Sequence, residues 1–302
     1  MHFLLPSQIR ENIENNVQVN ADFYLRTYFN DSVRSYNIIG TIPGKSAKTI
    51  VVGAHYDGFS GDYVIDNAVG AAILLGMAKY FGDNANKGIY PYYTTKFVFF
   101  AGEDAVWRGS YHYVSKHKPF LEGKVLYYIN IDTVAYKNSS EYAKEELCLN
   151  MWHFPYNDGL NNTFQEIIEQ SNYETRSGGY GIGIKGRDHS GVGRCDGGAF
   201  IGHVRRAVIA FDKGDPTFAW HFYQRDGAGH TKGDTLDKLD YLDLVVTAEV
   251  ILNLTKKLSL LRETTISTEF NADSNLKIIE TEKGNIIFDN IDFDDKYDLN
   301  IN

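Results

Sequence analysis

Cysteine is almost absent from this chain: Cys148 and Cys195 are the only thiols in 302 residues, far apart and outside any C-x-x-C pair. A zinc knuckle is thereby excluded. Two independent buried thiols are expected, and the other reading, a disulfide, would imply an oxidising compartment. An excess of positive charge is also lacking. The formal net charge of -9 argues against nucleic acid as a partner, because phosphate binding needs clustered Lys and Arg. No stretch approaches the roughly 20 consecutive apolar residues of a membrane span, and the opening Met1-His2-Phe3-Leu4-Leu5-Pro6 is too short for a signal-peptide core. A soluble chain without a membrane span is expected. Whether it is secreted or periplasmic after removal of an export signal is left open.

What is present is enough apolar material, 43% of residues, for a substantial core in one large α/β domain or two small ones. Thr49 to Ala54, Lys96 to Ala101 and Val125 to Ile131 are short, nearly continuous apolar runs, with Arg206 to Phe211 as a fourth. Strands covered on both faces require such runs. Helical patterns lie between them, at Ala68 to Phe81, Trp107 to His117 and Phe164 to Gln170. Leu239 to Leu261 predicts a long packing helix, and Ser7 to Phe29 predicts another. Strand and helix alternate, so the expected fold is α/β, a mostly parallel mixed sheet sandwiched between helices. The Gly-dense stretch Ser171 to Gly198 predicts a long irregular loop. Residues 265–302 read as an acidic extension, either a hairpin turning at Lys283-Gly284-Asn285 or a disordered tail, after a single domain over 1–264. Trp152, His153, Phe154 and Tyr156 fall in a connection that reads as pocket lining or as packing.

Each predicted strand ends in residues able to ligate a metal. The first gives His55-Tyr56-Asp57, the second Gly102-Glu103-Asp104 and the third Asp132, while Asp66-Asn67 precede the first helix and His230 follows much later. Singly, each has a plainer reading: a carboxylate after a strand is often a turn former, and Asp66 would serve as a helix cap. Jointly they do not, because the carboxyl ends of parallel strands form one edge, and two imidazoles with several carboxylates there suit zinc.

These residues carry a resemblance. Ser35-Tyr36-Asn37-Ile38-Ile39-Gly40, Pro43-Gly44, Gly53-Ala54-His55-Tyr56-Asp57, Asp66-Asn67-Ala68-x-Gly70, Phe99-Phe100-Ala101-Gly102-Glu103-Asp104 with Gly109-Ser110, Asn130-Ile131-Asp132, and His230-Thr231 with Asp234-Thr235 follow one another in order. Over about residues 35 to 260 the chain resembles the metallopeptidase family that includes aminopeptidase Y, bacterial leucyl aminopeptidases, glutamate carboxypeptidase and, as a divergent branch, glutaminyl cyclase. The resemblance implies a zinc-dependent exopeptidase fold of the phosphorylase/hydrolase-like type, with the metal site at the carboxyl ends of the strands. It implies that Asp66 bridges two zinc ions, with His55 and Asp132 completing one site and Asp104 and His230 the other. It further implies Glu103 as general base, Asp57 steadying the ring of His55, and a cis peptide bond between Asp66 and Asn67. The implied substrate is a peptide or protein N-terminus, and the implied reaction is hydrolysis of its first peptide bond. Charge accounting agrees with two ions, since Asp66, Asp104 and Asp132 would leave one Zn²⁺ with uncompensated buried negative charge. Adjacent residues of an extended segment point opposite ways, which would let Asp104 reach metal while Glu103 reaches water.

The pattern departs from the family in places. Asp104 stands where the family usually has Glu, and Gly229 where some relatives have an oxyanion-stabilising Tyr, with Tyr180 or Tyr223 as substitutes. Cys195-Asp196-Gly197-Gly198-Ala199-Phe200 is a degraded form of a family stretch, in which Asp196 either contacts the site or shapes a turn. Two other readings compete. A cyclase-like mononuclear zinc aminoacyltransferase is disfavoured by Gly229 and Asn67, where that branch has Trp and Ser. A metal-free binding protein is disfavoured by the complete ligand set. Side-chain preference and oligomeric state stay open.

Overall fold

In the computed structural model, which describes residues 15, 34–137, 149–155, 158–171, 192–213, 222 and 228–261, the four apolar runs lie side by side in one sheet. Its strands are β1 (Ile38–Ile42), β2 (Ser46–His55), β3 (Tyr93–Phe100), β4 (Val125–Ile131), β5 (Leu149–Phe154) and β6 (Ala207–Lys213). Their order is β1-β3-β2-β4-β6-β5. The inner strands β3, β2, β4 and β6 are parallel, while β1 and β5 pair antiparallel at the two edges. The principal helices are α1 (Val69–Asn86), α2 (Arg108–Lys124), α3 (Asp158–Ser171) and α4 (Tyr241–Ser259).

Burial on both faces explains the continuous apolar runs. Ile50, Val52 and Ala54 of β2, with Ile129 and Ile131 of β4, join one core, together with Leu74 and Phe81 of α1, Phe164 of α3 and Val250 of α4. Val51, between them, faces the other core with Val98, Tyr113 and Val114 of α2, Tyr128 and Phe200. The period of two along each inner strand thus sorts neighbouring side chains into separate helical layers. In the second core Tyr128 stacks on Phe200 with ring centroids 3.7 Å apart, and its hydroxyl donates to Asn130 Oδ1 at 2.6 Å. Among the described residues, the segment Val64–Asn86 is apolar and long enough to cross a membrane by length and composition. Its α1 face of Val69, Ile73, Leu74, Met77 and Phe81 is buried in the first core.

Several expectations are revised. Trp152, His153 and Phe154 belong to β5 and not to a connection: Trp152 Nε1 donates to Asp212 Oδ2 at 2.8 Å, and buried His153 lies 2.9 Å from Asn161 Oδ1. These polar tips are consumed by packing. Helix α2 runs past His117 and through Pro119 to Lys124. Helix α3 begins at Asp158, ahead of the expected Phe164, because Leu160, Phe164, Ile167 and Ile168 form one buried stripe at helical spacing. The end of the expected Gly-rich loop is ordered as a 3₁₀ turn at Val192–Arg194 and one helical turn at Gly197–Phe200. Cys195 is a buried thiol that donates to the Val192 carbonyl at 3.5 Å. The Ser7 to Phe29 helix, the 265–302 extension, Cys148, Tyr156, Tyr180 and Tyr223 lie outside the described residues.

The parallel direction of the inner strands decides where chemistry can occur. β2 ends at His55, β3 at Phe100 just before Glu103 and Asp104, and β4 at Ile131 just before Asp132. These ends share one edge of the sheet, as the carboxyl ends of a doubly wound sheet must.

Candidate metal centre

Each group at this edge is placed by an identifiable backbone device. Asp132 leaves β4 with its N–H donating to the Phe211 carbonyl at 3.1 Å, which prolongs the β4–β6 ladder by one residue. His55 is the last residue of β2 and is 1% exposed. Asp66 lies where the chain turns into α1, with φ -122 and ψ 78, and the Asp66–Asn67 peptide is cis. Two clamps hold that turn. Asn67 Nδ2 donates to the Ile131 carbonyl at 2.8 Å while its Oδ1 accepts the Gly70 N–H at 3.1 Å. The second clamp is Asp234, 2% exposed, whose Oδ1 accepts the Ile65 N–H at 2.9 Å and whose Oδ2 accepts the Asp66 N–H at 3.0 Å. Gly70 must be glycine here, because a Cβ would drive into the Asn67 side chain.

The result is a compact cluster. His55, Asp66 and Asp132 bring one donor atom each within 4.8 Å of one another, and so do Asp66, Asp104 and His230. His55 Nε2 is 3.2 Å from Asp66 Oδ1 and 3.4 Å from Asp132 Oδ1. His230 Nε2 is 3.2 Å from the other oxygen, Asp66 Oδ2, and 3.3 Å from Asp104 Oδ1. Asp66 therefore turns its two oxygens to two different imidazoles. The shorter Asp104 side chain still reaches this group. His55 Nε2, Asp132 Oδ1 and Asp104 Oδ2 are buried without a hydrogen-bond partner, an arrangement that suits donor atoms aimed at cations.

Asp57 sits beside this cluster and acts twice. His55 Nδ1 is 3.1 Å from the Asp57 carbonyl oxygen and 3.7 Å from its carboxylate, so the backbone makes the nearer contact to the ring. The Asp57 carboxylate instead accepts the Glu103 N–H at 3.1 Å. A ring held through Nδ1 leaves Nε2 for ligation. Glu103 and Asp104 lie in a turn and not in an extended segment: Gly102 has φ 69, and Trp107 N donates to the Glu103 carbonyl at 2.8 Å. Turn geometry, in place of strand alternation, sends Asp104 to His230 and leaves Glu103 beside Trp107, whose Nε1 is 2.7 Å from Glu103 Oε1.

The electrostatics follow from crowding. Burial opposes ionisation of His55, yet Asp132, with Asp57 and Asp66, raises its pKa well above the ordinary value. His230 is raised as well, chiefly by its contact with Asp66. Burial acts against the Asp66 carboxylate, but His230 and His55 hold its pKa below the usual carboxylate range. Burial and the charge of Asp132 push Glu103 up to about 9, and burial and Asp66 push Asp104 to about 6. Asp196, fully buried ahead of the short helical turn, is pushed to about 7 by burial. Asp234 belongs to the motif that carries the resemblance and Trp107 opens a predicted helix, but the role of each depends on its partners in the fold, the Ile65 and Asp66 N–H groups for the one and the Glu103 carboxylate for the other.

With this geometry in place, comparison with known proteins is informative. Residues 37–255 match peptidase family M28. A probable glutamate carboxypeptidase of Arthroderma benhamiae is 24% identical over 260 residues, covering 78% of this chain and 35% of that protein. Similar solved structures include a zinc aminopeptidase from Bacillus subtilis, with TM-score 0.56 and 20% identity over 74% of this chain and 49% of the other. Another is LapB from Legionella pneumophila, with TM-score 0.53 and 19% identity over 74% of this chain and 56% of the other. The chain thus spans about a third of the curated relative and about half of the solved structures.

Two outcomes are expected. In metal-free protein at pH 7, His55 and Glu103 hold protons that ligation and cation charge must displace, so Zn²⁺ addition should acidify a weakly buffered solution. Release should shrink as pH rises, because the metal-free groups have then already lost those protons; calorimetry in buffers of different ionisation enthalpy measures it. Asp234→Asn replaces one carboxylate oxygen by an NH2 group that cannot accept, so only one of the Ile65 and Asp66 N–H groups keeps its acceptor. Metal affinity should fall roughly 10- to 100-fold in chelator competition, the range for loss of a group that orients a ligand.

Proposed function

The chain belongs to peptidase family M28, and from this premise we propose that it is a zinc-dependent aminopeptidase that removes the N-terminal residue of peptides. The observation that carries the proposal is the division of Asp66: Oδ1 faces His55 and Oδ2 faces His230, each at 3.2 Å. A carboxylate used in this way suits a bridge between two cations, with His55 and Asp132 completing one position and Asp104 and His230 the other. The donor set of imidazole nitrogens and carboxylate oxygens fits zinc. Three aspartates in one buried cluster favour two ions over one.

When bound, the two zinc ions supply Lewis acidity that polarises the scissile carbonyl and makes water a nucleophile near neutral pH. The protein's own groups do the rest. Glu103 accepts the proton of the attacking water and returns it to the leaving amine, a task within reach because its carboxylate feels the charges of Asp132, His55 and Asp66 while belonging to none of the three ligand triads. Its rise to about 9 belongs to the cation-free cluster, where Asp132 repels its charge; bound cations reverse the sign of that field. Asp57 orients the His55 ring and fixes the Glu103 backbone at the same time. A free substrate amine, unlike an internal amide, would be able to coordinate one of the cations or pair with a nearby carboxylate, which supports exopeptidase action. The name of the Bacillus subtilis neighbour, a zinc aminopeptidase, supports the same reading.

The test uses zinc-loaded protein and a peptide offered with a free and with an acetylated N-terminus. Loss of the first residue from the free form alone is expected. Ammonia release from an N-terminal glutaminyl peptide without cleavage would replace this reading by the cyclase one. Glu103→Gln should retain zinc while turnover drops roughly 10²- to 10⁴-fold, the usual contribution of a general base; turnover within a few-fold of wild type would remove Glu103 from that role.

A further inference from the structure

Glu103 is fixed by three bonds of separate origin. Its N–H donates to Asp57 Oδ1 at 3.1 Å, its carbonyl accepts the Trp107 N–H at 2.8 Å, and its Oε1 accepts the Trp107 indole Nε1–H at 2.7 Å. The last bond makes the two carboxylate oxygens inequivalent, because the indole donor sits on Oε1. We infer that Trp107 is a positioning residue for Glu103: its indole occupies Oε1 and leaves Oε2 as the atom that receives and returns the proton.

The chemistry of the donor makes the assignment specific. An indole N–H donates and has no lone pair to accept, so it cannot take up the proton that Glu103 gains. A hydrogen on Oε1 would weaken that oxygen as the acceptor of the indole N–H, so protonation favours Oε2 and gives a carboxyl group with two equivalent oxygens one preferred orientation. Trp107 is itself held in place. Its ring lies against Tyr111 one turn further on, with centroids 6.0 Å apart, and Tyr111 N donates to the Trp107 carbonyl at 3.0 Å. Val106 and Trp107 have φ of 70 and 54, two consecutive non-glycine residues in the left-handed region. Such conformations are costly for L residues and persist where surrounding contacts over-determine them. Those contacts include Arg108 N to the Gly102 carbonyl at 2.8 Å and Gly109 N to the Ala101 carbonyl at 2.9 Å. From the other side, Asn37 bonds both Ala101 N and the Gly109 carbonyl, at 3.2 and 3.0 Å. The loop is thus closed at its base, and its tip delivers an indole to the carboxylate four residues earlier.

This inference rests on the peptidase reading for its kinetic arm and is independent of it for its spectroscopic arm. Trp107→Phe keeps an aromatic ring against Tyr111 and removes only the donor. Zinc content should be unchanged, KM should stay within about twofold, and kcat should fall roughly 10- to 100-fold, as loss of a hydrogen bond to a charged group does. Trp107→Ala should be no worse in kcat than Trp107→Phe. In proton NMR of the zinc-loaded protein, the indole N–H resonance that disappears in Trp107→Phe should lie downfield. It should move upfield in Glu103→Ala, with the Trp152 resonance, whose indole donates to Asp212 Oδ2, as an unmoved reference. Wild-type kcat in Trp107→Phe with loss only in Trp107→Ala would assign the indole to packing and overturn the proposal. A Trp107 resonance indifferent to Glu103→Ala would overturn it as well. Zinc-loaded wild-type protein that cleaves no peptide would instead remove the peptidase reading, and the resonance shift would still decide whether Trp107 holds Glu103.

Discussion

The structure is organised around mutual repulsion. Asp66, Asp104 and Asp132 are brought within a few ångströms of shared partners at a water-poor sheet edge, where like charges interact more strongly than in bulk solvent. Left to itself the cluster would spread. It is held by two uncharged devices, the β4–β6 ladder behind Asp132 and the Asn67 side-chain amide spanning from Ile131 to Gly70, and by Asp234, a further carboxylate whose charge is compensated by the peptide N–H groups of Ile65 and Asp66. Such a site is stabilised by what it binds, since removing the counter-charge restores the repulsion.

Labour is divided by element. The parallel strands contribute His55, at the end of β2, and Asp132, just beyond β4, whose directions are fixed by neighbours on both sides. The turn after β3 contributes Glu103 and Asp104, a pair whose separation depends on left-handed residues at Gly102, Val106 and Trp107. The loop before α4 contributes His230, itself at φ 57, with Phe59 stacked on its ring at 5.3 Å. Thus one imidazole is deep and the other lies near solvent, 43% exposed in its side chain.

Legibility in the sequence followed the same division. β2, β3, β4 and β6 are readable because double-sided burial leaves few polar positions in their central runs to blur the pattern. β5 was not, since Trp152 and His153 carry polar atoms whose partners, Asp212 and Asn161, are visible only in three dimensions. The first turns of α3 were missed because Asp158-Gly159 and Asn161-Asn162 read as loop, although Leu160 already stood on the buried stripe. At the site, the residue types and their order located the cluster. The reason given for separating Glu103 from Asp104 was different from the one the fold uses. Asp234 stands in a recognisable motif and Trp107 at a predicted helix start, yet their roles are not written there: one acts on backbone N–H groups far upstream, the other through a left-handed turn conformation.

The bonds from Ile65 and Asp66 to Asp234 cross 169 and 168 residues of intervening chain. Contacts of such separation carry the largest loop-closure penalty and are completed after the local structure they join. The cluster accordingly draws on residues from His55 to His230 and is braced by Asp234, so a fragment ending before His230 lacks one of its imidazoles. Metal uptake by this protein therefore reports on the folding of nearly the whole described chain, and a nascent or proteolysed form without the last loop would lack a complete ligand cluster.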